Sequence, residues 1–322
     1  MRRRPRRNRS NQGVRSMVEE TKLSTENLIY PLFIEDGVGV KTEIKSLKDN
    51  FRWSLDTLLP EIEACVKLGL DKFVLFPAVK VSLKDSIASY SYAQDNFYLN
   101  AIHKIKSEFP QLSLMSDVAM DPYSSDGHDG LVKNNRILND ETLPILAKMA
   151  IAQAQAGIDI LGPSDMMDGR IGFLRDELDA SGYSDTSIMS YTAKYASAFY
   201  EPFRDALDSA PKSGDKKTYQ MNPANKNEAL LEAELDFQEG ADMMMVKPAT
   251  CYLDIIHVLK ENFDIPITAY NVSGECAMIY AASEKGWLDY ETSMYEMLLS
   301  IRRAGADGIL TYFAKDFAKF QQ

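Results

Sequence analysis

Eight continuous apolar runs recur along the chain, and a stretch with helical spacing follows each. The runs occupy 28–34, 72–77, 112–119, 159–164, 188–191, 243–247, 267–272 and 308–313. They do not alternate apolar with polar, so they read as parallel strands covered on both faces. Between them the spacing changes. In 141–156, Leu143, Leu146, Ala147, Ala150 and Ala154 share a helical face and Gly157 supplies the stop. The segment 227–239 has the same character and stops at Gly240, while 94–110 reads as a scaffold helix. Eight strand–helix units predict an α/β fold, a (β/α)8 TIM barrel. Residues 26–322 are expected to form this single catalytic barrel domain and residues 1–25 an N-terminal arm.

Seven arginines, from Arg2 to Arg15, precede the first acid, Glu19. No apolar h-region follows, so a signal peptide is not expected. A transit segment and a solvated or subunit-embracing arm both fit this composition, and with Pro5 and few apolar residues the arm cannot bury itself. The net charge of −11 argues against general nucleic-acid binding. No apolar run approaches the roughly 20 residues of a membrane span. Three scattered cysteines (Cys65, Cys251 and Cys276) fit a reducing compartment and offer no cysteine-based zinc site, so a cytoplasmic location is expected.

Two runs end in lysine: 188–194 (IMSYTAK) and 243–248 (MMMVKP). Burying an ammonium is unfavourable, and a lysine desolvated beside another cation loses its proton and becomes a nucleophile toward carbonyls. Lys194 ends the fifth run and Lys247 the sixth, so a barrel makes them neighbours. A fall from about 10.4 to near 7 would raise the neutral fraction at pH 7 roughly a thousandfold. The competing reading is that each lysine snorkels to the surface.

Barrel enzymes place their sites at the C-terminal strand ends, which here collects Asp117, Asp121, Ser164, Asp165, Lys194, Lys247, Ser273 and Tyr312. Ser273 and Gly274 open a helix-like segment, so Ser273 is either a donor to a carboxylate at a helix N-terminus or a plain N-cap. Tyr312 either joins it or closes the core. The polar stretch 209–220 (SAPKSGDKKTYQ) is a loop or a lid, with the lid spanning about 204–220. Arg204 and Lys216 flank it as carboxylate clamps or as solvated charges. Asp117, Asp121, Asp126, His128 and Asp129 form a dense group whose hard oxygens suit Mg²⁺ or simply face water. Glu232 falls on a polar helix face.

Several segments together resemble the porphobilinogen synthase (5-aminolaevulinate dehydratase) family. They are 30–33 (YPLF), 163–170 (PSDMMDGR), 189–197 (MSYTAKYAS), 219–223 (YQMNP), 240–248 (GADMMMVKP), 272–275 (VSGE) and 303–307 (RAGAD). The resemblance implies condensation of two 5-aminolaevulinates into porphobilinogen through lysine Schiff bases, in haem and chlorophyll biosynthesis. It assigns Lys247 to the first substrate and Lys194 to the second. Ser273 and Tyr312 then hold the first carboxylate, and Arg204 and Lys216 the second. Glu232 matches the ligand of an allosteric Mg²⁺, and the assembly expected is a homo-octamer of arm-embracing dimers.

There are departures from the family pattern. Where many members place three zinc-binding cysteines, this chain has Ala119, Asp121 and Asp129, so no catalytic zinc is expected. Lys216 replaces a common arginine and loses bidentate pairing. Cys276 replaces a common tyrosine. The rival readings are another Schiff-base barrel enzyme, such as a class I aldolase with one essential lysine, and a catalytically dead barrel that serves assembly.

Overall fold

In the computed structural model, which describes residues 1–207 and 211–322, eight parallel strands close into a barrel. They are β1 (Leu28–Glu35), β2 (Lys72–Ala78), β3 (Ser113–Val118), β4 (Ile160–Pro163), β5 (Ser187–Lys194), β6 (Met243–Lys247), β7 (Ile267–Asn271) and β8 (Gly308–Thr311). Neighbours in sequence are neighbours in the sheet, and β8 returns to β1 through Leu28↔Ile309 and Ile29↔Leu310. Each expected run becomes a strand. The largest difference is at β5, where the run at 188–191 continues to Lys194. Ser190, Thr192 and Lys194 interrupt its apolar character, yet pairing with β6 keeps the backbone extended and all three are buried.

The helices are α1 (Gln12–Met17), α2 (Leu55–Lys67), α3 (Phe97–Glu108), α4 (Asn139–Ala156), α5 (Arg170–Ala180), α6 (Glu201–Leu207), α7 (Asn227–Gln238), α8 (Leu253–Asn262), α9 (Ser273–Glu284), α10 (Tyr290–Ala304) and α11 (Ala314–Phe320). Their apolar faces cover the outside of the barrel: Leu58, Ile62 and Cys65 from α2, and Met294, Leu298 and Ile301 from α10. Gly157 ends α4 at φ 101°, a left-handed conformation that favours glycine. Inside the barrel, Phe33 stacks on Tyr312 with centroids 6.1 Å apart.

Two antiparallel hairpins decorate the rim. Lys41–Glu43 pairs with Phe51–Trp53, which continues alongside β1, and Leu131–Lys133 pairs with Arg136–Leu138. The second turns through Asn134 and Asn135 at φ 52° and 57°, which matches the right-handed twist of its strands. The arm carries a 3-10 turn, Pro5–Arg9, and α1, neither with a buried residue. No helix among the described residues is long and apolar enough to cross a membrane. Within the expected lid, residues 208–210 lie outside the described residues.

Candidate active site

Lys194 and Lys247 are register partners at the C-terminal ends of β5 and β6. Both are almost fully enclosed, at 5% and 6% exposure, so neither snorkels to the surface. Their surroundings differ. The amine of Lys194 donates to the carbonyl oxygen of Ser164, just past β4, and lies 3.6 Å from an Asp129 oxygen. The amine of Lys247 sits 4.7–5.1 Å from the ring centroids of Tyr191, Tyr200, Phe203 and Tyr270. Among the described residues it forms no ion pair of 4.0 Å or less. Burial pushes Lys247 down to about 7, and the charge of Lys194 pushes in the same direction. The neighbouring amine is thus the second cause, and desolvation is the first.

The carboxylates around the pair have different tasks. Burial raises Asp117 to about 7, with Asp121 adding to the rise. Asp117 can therefore exchange protons near neutrality. Burial acts upward on Asp129 as well, but Lys194 and Lys216 more than offset it and hold Asp129 well below the usual carboxylate range. Lys216 donates to Asp121 at 3.1 Å and Asp129 at 3.0 Å, and all three are buried. Burial opposes the charge on Lys216, yet these two acids raise its pKa. The aspartate group is therefore neither a solvated loop nor an empty oxygen cage: an ammonium occupies it. His128 anchors the same segment, with ring nitrogens 2.9 Å from the Ser213 carbonyl and 3.1 Å from the Tyr219 hydroxyl.

Ser273 is the first residue of α9, and Val272 is the N-cap. Its hydroxyl accepts from the Phe203 N–H at 3.1 Å, which ties the start of α9 to α6. Gly274 permits this approach, because a Cβ there would lie 2.6 Å from the Phe199 carbonyl oxygen. Tyr312 shares a 2.7 Å hydrogen bond with Tyr270. Arg204 pairs with Glu201 at 2.5 Å, so the two cations of the expected clamp are engaged by different acids.

Glu232 stands apart from the lysines, on α7. With Asp168, Glu228, Asn139 and Asn222 it lines a cavity of about 250 Å³. Burial raises Glu232 to about 7; Arg170 acts the other way, and Asp236, Asp168 and Glu228 add to the rise. Among the described residues no three His, Cys, Asp or Glu are grouped to hold a metal. A roomy, oxygen-lined cavity with carboxylates on its wall is of the kind that could hold a hydrated Mg²⁺, which keeps most of its waters. A second cavity, of about 790 Å³, is lined by His128, Arg136, Ser213 and Tyr219 and touches neither lysine.

The aromatic ring about Lys247 is the feature that sequence reasoning missed. Tyr191 precedes Lys194 by three residues, but Tyr200 and Phe203 are more than forty residues from Lys247 and carry no sequence signal toward it.

A family model described as delta-aminolevulinic acid dehydratase matches residues 2–320. The delta-aminolevulinic acid dehydratase of Chlamydia pneumoniae is 54% identical over 312 residues, covering 97% of this chain and 94% of the relative. The chloroplastic delta-aminolevulinic acid dehydratase of Physcomitrium patens is 51% identical, over 98% of this chain and 74% of its own. A crystal structure of the Toxoplasma gondii delta-aminolevulinic acid dehydratase (porphobilinogen synthase), in complex with its reaction product porphobilinogen, superposes with a TM-score of 0.98. It is 49% identical and covers 99% of this chain and 92% of that one.

Proposed function

The chain belongs to the delta-aminolevulinic acid dehydratase family, and we infer that its site joins two molecules of 5-aminolaevulinate into porphobilinogen, with loss of two waters. The observation that carries this reading is the pair of buried amines in register, Lys247 beside Lys194, with Lys247 poised near neutrality at about 7. A single-lysine aldolase has no need for the second amine.

In this mechanism neutral Lys247 attacks the ketone of the first 5-aminolaevulinate and releases water as the imine forms. Lys194 engages the second ketone. With both substrates held at one rim, the carbon–carbon bond forms within a single complex, an advantage of roughly 7–11 kcal/mol over free encounter. Closure of the carbon–nitrogen bond, loss of ring protons and release of both lysines give the pyrrole. The net change is two C5H9NO3 to C10H14N2O4 and two H2O. Asp117, at about 7, is placed to carry protons between these steps.

Ser273 and Tyr312 are the groups for the first carboxylate, and Arg204 and Lys216 for the second. For Lys216 this requires leaving Asp121 and Asp129, so the segment around 204–220 acts as a lid whose cation exchanges acids as it closes. Glu232 would hold a hydrated Mg²⁺, which would supply positive charge beside α7 at a distance from the lysines. No catalytic zinc enters the scheme, because the matching positions hold Ala119, Asp121 and Asp129 in place of three cysteines. The arm at 1–25, whose turn and helix within 5–17 bury no residue, packs on neighbouring subunits of a homo-octamer. The enzyme works in the cytoplasm on a small-molecule substrate.

The test is to supply 5-aminolaevulinate alone and assay the pyrrole. One porphobilinogen per two substrates consumed is expected. Absence of pyrrole, with aldol cleavage of a phosphorylated ketose instead, would overturn the reading.

A further inference from the structure

Glu275 lies in the first turn of α9 and is completely enclosed, at 0% exposure. Two residues past Ser273, it stands at N3 of α9 and caps the Val272 N–H, but capping alone needs neither full burial nor partners on other strands. One oxygen accepts from the Thr250 N–H at 2.7 Å. The other accepts from the Val272 N–H at 2.9 Å and from the Asn271 side-chain amide at 3.1 Å. Asn271 continues the line, for its side-chain oxygen accepts from the Thr311 hydroxyl at 2.8 Å. The Thr311 hydroxyl in turn accepts from the Phe313 N–H at 3.1 Å. Asn271, Glu275 and Thr311 are all at 0% exposure.

This buried chain of hydrogen bonds crosses the ends of β6, β7 and β8. Thr250 is three residues past Lys247, Val272 precedes Ser273, and Thr311 precedes Tyr312. The three segments that carry the imine-forming amine and the two carboxylate-binding hydroxyls are thus fastened to one another through a single carboxylate. A buried acid with all its partners in place fixes geometry, and an unmet one is heavily penalised.

We propose that Glu275 is a positioning residue that sets the distance between the Lys247 amine and the Ser273–Tyr312 carboxylate site, so that the first substrate is held with its ketone against the amine. This rests on the reading of Lys247, Ser273 and Tyr312 given above. Glu275 touches no substrate. It acts through the backbone N–H groups of Thr250 and Val272 and through Asn271.

Glu275→Gln tests it. The amide keeps the volume and one acceptor, but turns an N–H₂ toward either the Thr250 N–H or the Val272 and Asn271 donors. Thr311→Val cuts the far end of the same chain without touching Glu275. Laevulinic acid, which has the ketone and carboxylate but no amine, is trapped on the protein with borohydride and the adduct located by mass spectrometry. Folded Glu275→Gln is expected to trap at least tenfold more slowly at sub-saturating laevulinic acid, and to raise KM for 5-aminolaevulinate more than it lowers kcat. Thr311→Val should move both in the same direction by a smaller factor. A purely structural role would lower Tm and leave the trapping rate of the folded fraction unchanged. Wild-type trapping and KM in folded Glu275→Gln overturn the proposal; should that variant not fold, wild-type values in Thr311→Val do so. Failure of the wild-type protein to be trapped at Lys247 would instead overturn the functional reading.

Discussion

Lys194 and Lys247 are register partners, yet among the described residues a carboxylate comes within 4.0 Å of Lys194 alone: Asp129 lies 3.6 Å from its amine, while aromatic rings surround the Lys247 amine. That asymmetry separates their duties. Lys194 has an anion beside it, and its charge acts downward on the pKa of its neighbour. The amine among the rings is pushed down to about 7, and in the proposed mechanism it is the one that attacks.

The first prediction follows from that division. Lys247 should be the residue modified by laevulinic acid and borohydride, and Lys247→Ala should abolish label and turnover. Lys194→Ala should lower turnover by at least a hundredfold and leave some trapping at Lys247. Because Lys247 is depressed to about 7, the wild-type trapping rate should rise about tenfold per pH unit below 7 and level off above it. A rate still rising steeply at pH 9 would show an amine of ordinary basicity.

The same depression has a stability sign. Between about 7 and 10.4 the unfolded lysine is protonated and the folded one is not, so stability rises with pH across that window. At and below pH 7 the unfolded chain keeps its preference for the proton, and the fold bears the full difference. Lys247→Met should therefore melt higher than wild type at pH 7, by a ΔΔG on the order of a few kcal/mol at about 1.36 kcal/mol per pKa unit. Thermal melts at pH 6, 7 and 9 should show the gain shrinking with pH.

Lys216 neutralises two buried acids at once. Lys216→Ala leaves Asp121 and Asp129 facing each other, a loss of about 3–5 kcal/mol of the kind seen when one member of a buried ion pair is removed. Limited proteolysis within 211–220 should quicken in this variant. In wild type it should slow on adding a substrate analogue; equal cleavage in both states would count against a lid.

Burial raises Glu232 to about 7, so a Mg²⁺ held there as proposed would compete with a proton. Added Mg²⁺ should raise Tm more at pH 8 than at pH 6, and Glu232→Gln should lose that shift. Activity after chelation should persist at a basal rate and increase with Mg²⁺. Complete loss on chelation with rescue by zinc alone would exclude this role.

The arm offers a separate measurement. Removing residues 1–20 should leave the barrel's melting transition in place and reduce the sedimenting species from an octamer to smaller assemblies. An unchanged sedimentation coefficient would place the subunit contacts elsewhere.

The sequence by itself determined the barrel, because continuous apolar runs separated by helical spacing have few other ways to bury both faces of each strand. It also determined that Lys194 and Lys247 are neighbours, since consecutive strands of a barrel pair in order. The tertiary structure decided the electrostatics. The different surroundings of the two amines depend on Tyr200 and Phe203 of the α6 region and on Asp129 of the loop after β3, groups distant in sequence and brought to 3.6–5.1 Å by folding. The same holds for Lys216, whose charge reads as a solvated or substrate-binding cation until Asp121 and Asp129 close on it. It holds again for Glu275, which sequence alone places as an ordinary acid in a helix's first turn. Periodicity records which side of an element faces the core. It does not record which polar groups meet there, and a buried pKa depends on those meetings.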